Sequence, residues 1–243
     1  MDSSPQMTIQ TCLFHTKYRQ VCILSTLTPV AVNPMATRSP ARSSRPTAAA
    51  QPQALRDHIL QTASRLFYTR GVRAVGVDLV IQEAGVAKTS LYRHFPTKDD
   101  LIVAFLERED ADFWSVWDQV AEQHADAPMS ELEAHMHWIG ERLARPNYRG
   151  CPQINVAAEF AEPDHPARHV ARAHMQALRA RLHDLARKLK VPHPQQLAAQ
   201  LALLINGAFV SAGLLTPEEA TDVLLASVRA LCKGAGGPAQ EGA

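Results

Sequence analysis

Eight hydrogen-bonding side chains fall within the eleven positions from 88 to 98: Lys88, Thr89, Ser90, Tyr92, Arg93, His94, Thr97 and Lys98. Ammonium, guanidinium, hydroxyl and imidazole groups at this density suit the oxygens of phosphates and the edges of bases. To act together they need a rigid mount, and the surrounding stretch VDLVIQEAGVAKTSLYRHF supplies one. Val77, Val80, Ile81 and Ala84 recur at helical spacing, which predicts a first short helix. Gly85 follows, where a tight turn needs a residue free to take positive φ. A second short helix buries Val86, Ala87, Leu91 and Phe95. It turns Lys88, Thr89, Tyr92 and Arg93 outward, with Ser90 and His94 at the edges. Two such helices around a glycine turn form the signature of a DNA-reading helix-turn-helix, although a plain helical hairpin has a similar pattern.

The charge distribution favours docking at one place over general coating of DNA. The formal net charge of the 243 residues is only +1, yet from Ala63 to Lys98 six bases (Arg65, Arg70, Arg73, Lys88, Arg93, Lys98) face two acids (Asp78, Glu83). Four cysteines without C-x-x-C spacing suit a reducing compartment, and the cytoplasm is the expected location. Leu201 to Leu215 is the most apolar run, too short for a membrane span and interrupted by Asn206.

Residues 1–52 read as a disordered tail rich in Pro, Ser, Thr, Ala and Gln. Met35 is a plausible natural start, which would leave Arg38, Arg42 and Arg45 as a short basic arm or a solvated tail. A helix is expected from Leu55 to Arg70, with Leu55, Ile59, Ala63, Leu66 and Phe67 on one stripe and Gly71 as its cap. Thr97 and Asp100 have capping-box spacing and open a long helix to about His124, with Lys98 at its positive end.

The words ASRLFYTRGV and VIQEAGVAKTSLYRHFPTKDDL, running into that long helix, resemble the N-terminal domain of the TetR (tetracycline-repressor-like) transcriptional regulators. The resemblance covers about a quarter of the chain, residues 55–109. It implies an all-α protein: a three-helix helix-turn-helix head over residues 53–113, with its motif at 76–95, then a helical effector-binding and dimerisation domain over 114–234 and a tail over 235–243. It implies base contacts near Lys88, Thr89 and Ser90 and phosphate contacts from Tyr92, His94 and Lys98. Val77 and Arg93 complete the DNA-facing set. The family usually opens its second helix with Ser or Thr. Gly76 stands there instead, so the phosphate contact of that hydroxyl is missing.

In the body, Ser130 is expected to cap a helix carrying Leu132, Met136, Ile139 and Leu143. Pro152 opens another, on which Cys151, Asn155 and Glu159 share a face at i, i+4 and i+8. The GCP…N..AE pattern also resembles a subgroup of TetR-like effector domains and suggests that this face borders a ligand cavity. The cavity set is Trp114, Trp117, Trp138, Asn155, Glu159, His174 and Phe209, and each of these also reads as ordinary core. Gln195 to Leu215 is apolar nearly all round and calls for cover on several sides. With the last helix it forms the expected homodimer face, carried by Leu201, Leu204, Ala208, Leu224 and Val228.

The expected function is therefore a dimeric repressor released from a palindromic operator in double-stranded DNA by a small-molecule effector. No cofactor and no membrane partner is expected. His165 and His169 have i, i+4 spacing, but no third ligand completes a metal site. Two rivals are a constitutive DNA binder without effector and a helical enzyme using Cys151 as nucleophile and His174 as base, for which no orienting group is evident.

Overall fold

The computed structural model describes residues 50–211 and 213–236. The predicted tail through residue 49, including Met35 and the three arginines of the arm, lies outside the described residues, as do 237–243. Residues 50–52, expected in the tail, are helical. Among the described residues there are nine helices and no sheet: α1 (Ala50–Arg70), α2 (Val77–Ala84), α3 (Lys88–His94), α4 (Lys98–Gln123), α5 (Pro128–Leu143), α6 (Pro152–Glu159), α7 (Pro166–Lys188), α8 (Pro194–Val210) and α9 (Pro217–Gly234).

Local chemistry sets most of the boundaries. Gly85 closes α2 with φ +63° and ψ +35°, the left-handed conformation in which a side chain is strained. Thr97 and Asp100 form the expected capping box at α4, and Thr216 and Glu219 form one at α9. α5 starts earlier than predicted, at Pro128 with Ala127 as N-cap, because a proline in the first turn forfeits no hydrogen bond there. α8 stops at Val210, short of the predicted Leu215, and Leu214 and Leu215 lie in the following loop.

The apolar side chains gather into two clusters. The head cluster takes Ile59, Leu66 and Phe67 from α1, Val80 from α2, Leu91 from α3, Phe95 after it, and Leu101 and Phe105 from α4. The body cluster begins further along α4 at Phe113 and Trp117 and takes in α5, α7, α8 and α9. α4 thus belongs to both, and two residues from beyond the head, Val156 of α6 and Ala167 of α7, are sunk in the head cluster.

Three residues expected at a dimer face are core residues of a single chain. Leu201 and Val228 are fully closed off and Leu224 is 2% exposed. A side chain already covered by its own chain has no surface left for a partner. Leu204 and Ala208 are half-buried. The all-round apolar α8 resolves into an inner stripe of Leu197, Leu201, Ile205 and Phe209 and an outer one with Leu203, 73% exposed, and Val210, 62% exposed. Leu214, Leu215 and Val223 extend this exposed apolar surface toward α9.

Candidate nucleic-acid interface and the cavity behind it

α3 is only seven residues long, and Leu91 with Phe95 behind it pins it to the head. Its free face presents Lys88, Thr89, Tyr92 and Arg93 to solvent, with Ser90 half-buried beside them. Lys88 Nζ rests 3.2 Å from Asp78 Oδ1, an exposed pair of small worth that a phosphate could displace. Arg93 donates weakly to Ser90 Oγ at 3.4 Å. His94 is half-buried, and its Nε2 is closed off from solvent without a partner, so that nitrogen is not offered outward. Val77 packs its side chain against the head cluster. Only its backbone N–H, at the uncapped start of α2 behind Gly76, remains for an anion. The amides opening α4 are partly engaged by the capping box, so Lys98 would act through its side chain. Burial, set against the nearby Asp99 charge, holds the Lys98 ammonium below the ordinary lysine range, as suits a group that gains from an anionic neighbour.

A seam of specific hydrogen bonds ties this head to the body. Glu159, at the end of α6, accepts from two backbone amides of the turn after α1: Val72 N at 3.1 Å and Arg73 N at 2.8 Å. Gly71 has φ +88°, and a Cβ there would stand 3.1 Å from Glu159 Oε1. The Tyr68 hydroxyl accepts from Arg149 N at 2.9 Å and donates to Gly150 O at 3.2 Å. The Arg73 guanidinium lies 5.3 Å over the Phe160 ring, whose centroid is 3.7 Å from that of His165. His165 Nδ1 caps α7 by accepting from Ala167 N, which leaves Nε2–H facing Asp99 Oδ2 at 3.6 Å.

The predicted cavity residues divide. Only His174 and Phe209 line the cavity; Trp114, Trp117 and Trp138 pack with them around the Phe113 ring, at centroid distances of 4.9 to 6.4 Å, as part of the body core. Asn155 and Glu159 lie elsewhere. Asn155 donates to Arg149 O at 2.7 Å and steadies the loop before α6, while Glu159 holds the head. The i, i+4, i+8 stripe is real, but eight residues of helix span about 12 Å, so its two ends meet different neighbours. The cavity itself is lined by Glu109, Phe113, Arg142, Tyr148, Gln153 and His174, with Cys151, Pro152 and Phe209 completing the wall. It is nearly closed, about 10 Å³, close to the space of one water. Glu109, Arg142, Tyr148 and Gln153 were not legible as a set. Arg142 and Tyr148 flank Pro146-Asn147, which reads only as a helix stop.

Four buried polar atoms of this lining have no hydrogen-bond partner: Arg142 Nε, Tyr148 Oη, Gln153 Oε1 and His174 Nε2. Asp110 Oδ1 orients the imidazole, receiving His174 Nδ1 at 2.6 Å and the Trp114 indole N–H at 2.8 Å. Burial pushes the Cys151 thiol above its ordinary range, the opposite of what a nucleophile needs. Among the described residues no group of three or more His, Cys, Asp or Glu is placed to hold a metal ion. No described helix is long and apolar enough to cross a membrane.

The head and the donor-lined α3 define a helix-turn-helix DNA-binding regulator carried on a helical body. Residues 59–105 match the family model described as bacterial regulatory proteins, tetR family. The chain is 29% identical over 179 residues to the HTH-type transcriptional regulator YxaF of Bacillus subtilis, covering 70% of this chain and 90% of that protein. Among solved structures it resembles a TetR-family transcriptional regulator from Streptomyces coelicolor, with TM-score 0.72 and 29% identity over 75% of this chain and 96% of the other. A TetR-type regulator from Streptomyces avermitilis gives TM-score 0.65 and 28% identity over 76% and 99%. The head is a TetR-type DNA-binding domain, and the chain as a whole is similar to TetR-family transcriptional regulators. These relatives are regulators and not enzymes.

Proposed function

We propose that the protein is a homodimeric repressor that sits on a palindromic operator in the cytoplasm and leaves it when a small molecule enters the body cavity. In this reading Lys88, Thr89 and Ser90 meet base edges. Tyr92, Arg93, Lys98 and the Val77 amide hold phosphates. Two heads enter successive major grooves about 34–36 Å apart. The surface of Leu203, Val210, Leu214 and Val223 on α8, α9 and the loop between them pairs two copies, because exposed apolar area of this size on adjoining elements calls for a partner.

One observation carries the reading. α6 borders the cavity at Cys151 to Gln153 and grips the head turn at Glu159, with Val156 between them in the head cluster. An eight-residue helix fixed at both ends passes a displacement at one end to the other. A ligand that binds better with α6 displaced therefore favours a different head position, and by no more than its difference in affinity for the two states.

The test is fluorescence anisotropy of a labelled duplex from the region upstream of the protein's own gene, with and without added small molecules, alongside sedimentation to count subunits. Two subunits on the duplex, released by a compound that also raises the melting temperature, is the expected result. A monomer that ignores the duplex overturns the reading. A dimer that binds it but responds to no compound favours a constitutive binder.

A further inference from the structure

The cavity's unpartnered atoms specify more than that something binds there. Gln153 is 2% exposed, and its Nε2 donates to Leu106 O at 2.9 Å. A carbonyl only accepts, so the amide cannot be flipped, and Oε1 is left as a buried acceptor without a donor. His174 is 3% exposed, and its Nδ1 lies 2.6 Å from an Asp110 carboxylate oxygen. The ring proton belongs on Nδ1, and Nε2 turns a lone pair into the cavity. Burial holds this imidazole below its ordinary range in spite of the Asp110 hydrogen bond, which keeps it in that neutral form. Thus two inner-wall groups, on α6 and α7, each have one end tied by an acceptor and a second acceptor at the other end. Across from them, Arg142 Nε–H and the Tyr148 hydroxyl supply unused donors.

Charge and shape narrow the occupant. Arg142 and Glu109 both line the cavity; burial raises the Glu109 carboxyl above its ordinary range and Arg142 offsets its charge, so the wall leaves no net charge for an ionic guest to pair with. The Phe113 ring meets His174 and Phe209 edge to face, at 75° and 76°, so the cavity has aromatic walls, but at about 10 Å³ it admits a ring only when a side chain gives way. Arg142 plugs it: the guanidinium lies 5.7 Å over both Phe113 and Trp138 and is half-buried, so it can swing outward and give up the face of Phe113. Resting on the ligand-responsive reading above, we propose that the occupant is a small, flat, uncharged aromatic molecule with a hydroxyl donor on its inner edge and a carbonyl-type acceptor on its outer edge. The hydroxyl donates to Gln153 Oε1 or His174 Nε2, and the carbonyl accepts from the Tyr148 hydroxyl. Buried acceptors left without a donor are what make such a site reject an analogue lacking the hydroxyl.

The experiment uses the full chain and five one-ring probes: 4-hydroxyacetophenone, its methyl ether, unsubstituted phenol, benzoate and benzylammonium. Calorimetry gives affinity and the anisotropy assay gives release of the duplex. The hydroxy ketone is expected to bind and release the duplex at least about tenfold more effectively than the ether. Either Gln153→Leu or His174→Phe should remove that preference, and a preference that survives both substitutions overturns the proposal. Tyr148→Phe, which leaves the α4–α6 tie intact, should weaken the ketone and leave unsubstituted phenol unchanged. Equal binding of ketone and ether overturns the proposal, as does failure of the ketone to bind. Release of the duplex by benzoate or benzylammonium alone overturns the ligand class while upholding the regulator reading. A chain that never binds the duplex sinks that reading whatever the probes do.

Discussion

Acidification should expose how tightly the body is packed, through one residue. His135 is closed off from solvent, stacked on Trp117 with centroids 3.7 Å apart and planes 16° from parallel. Neither of its ring nitrogens has a partner. Burial above all, helped by His124 and Arg181, lowers its pKa from 6.5 to about 3. The Glu131 carboxylate 3.9 Å away is already engaged by Lys188 at 3.1 Å. In the unfolded chain the same ring takes up its proton near pH 6.5. Between those two values the unfolded state binds more protons, so this contribution is intact above pH 6.5 and is lost progressively as pH falls toward 3. From pH 7.5 to 5.0 the loss is about 2 kcal/mol, and below pH 3 it reaches about 5 kcal/mol. His135→Phe keeps a ring on Trp117 and removes the titration. Urea unfolding of both proteins at pH 7.5 and 5.0, at one protein concentration and one salt, should show the parent losing about 2 kcal/mol more than the variant. Any packing difference introduced by Phe is the same at both pH values, and His174 is present in both proteins, so both cancel. Equal losses would mean the imidazole meets water or a counter-charge, and the reasoning would be refuted.

Other outcomes bear on the DNA face, the seam and the dimer. Lys98→Ala should weaken binding to every duplex and make the salt dependence less steep by about one unit; parallel salt plots would deny it a phosphate contact. Thr89→Ala should alter the bases chosen from a randomised site, and an unchanged choice would remove it from base reading. Glu159→Gln retains one acceptor where two charged oxygens served, so it should cost about 1–3 kcal/mol of stability and speed hydrogen exchange at the amides of Val72 and Arg73. Unaltered exchange there would show that the clamp is not made in solution. Leu203→Asp, on the outer stripe of α8, should yield a folded monomer by sedimentation, whereas Leu201→Asp, on the inner stripe, should unfold the body. A Leu203→Asp dimer would place the interface elsewhere.

The head was legible because its determinants are local. Gly85 marks the turn, the spacing of Val80, Ala84, Leu91 and Phe95 marks the buried face, and Thr97 with Asp100 marks where α4 begins. The family words resting on those positions did the rest. The cavity was not legible in the same way, since Glu109, Arg142, Gln153 and His174 come from four helices and nothing in their spacing announces that they meet. Glu159 reads as a cavity residue in the sequence because a stripe on a helix fixes a direction but not what lies at each end. α8 posed a related difficulty. When every face is apolar, periodicity cannot say which stripe the chain covers itself, so Leu201 reads as an outward residue although Leu203 is the exposed one.

Val156 and Ala167, embedded in the head cluster from beyond it, limit how modular this protein is. A graft that cut the chain after α4 and attached another family member's reading unit would disturb the packing of Val156 and Ala167 in the head cluster and leave Glu159 without the amides of Val72 and Arg73. A working chimera, such as a reporter built to answer a new operator, would have to transplant Val156, Glu159, Phe160 and Ala167 along with the first four helices, or redesign them to fit the incoming unit.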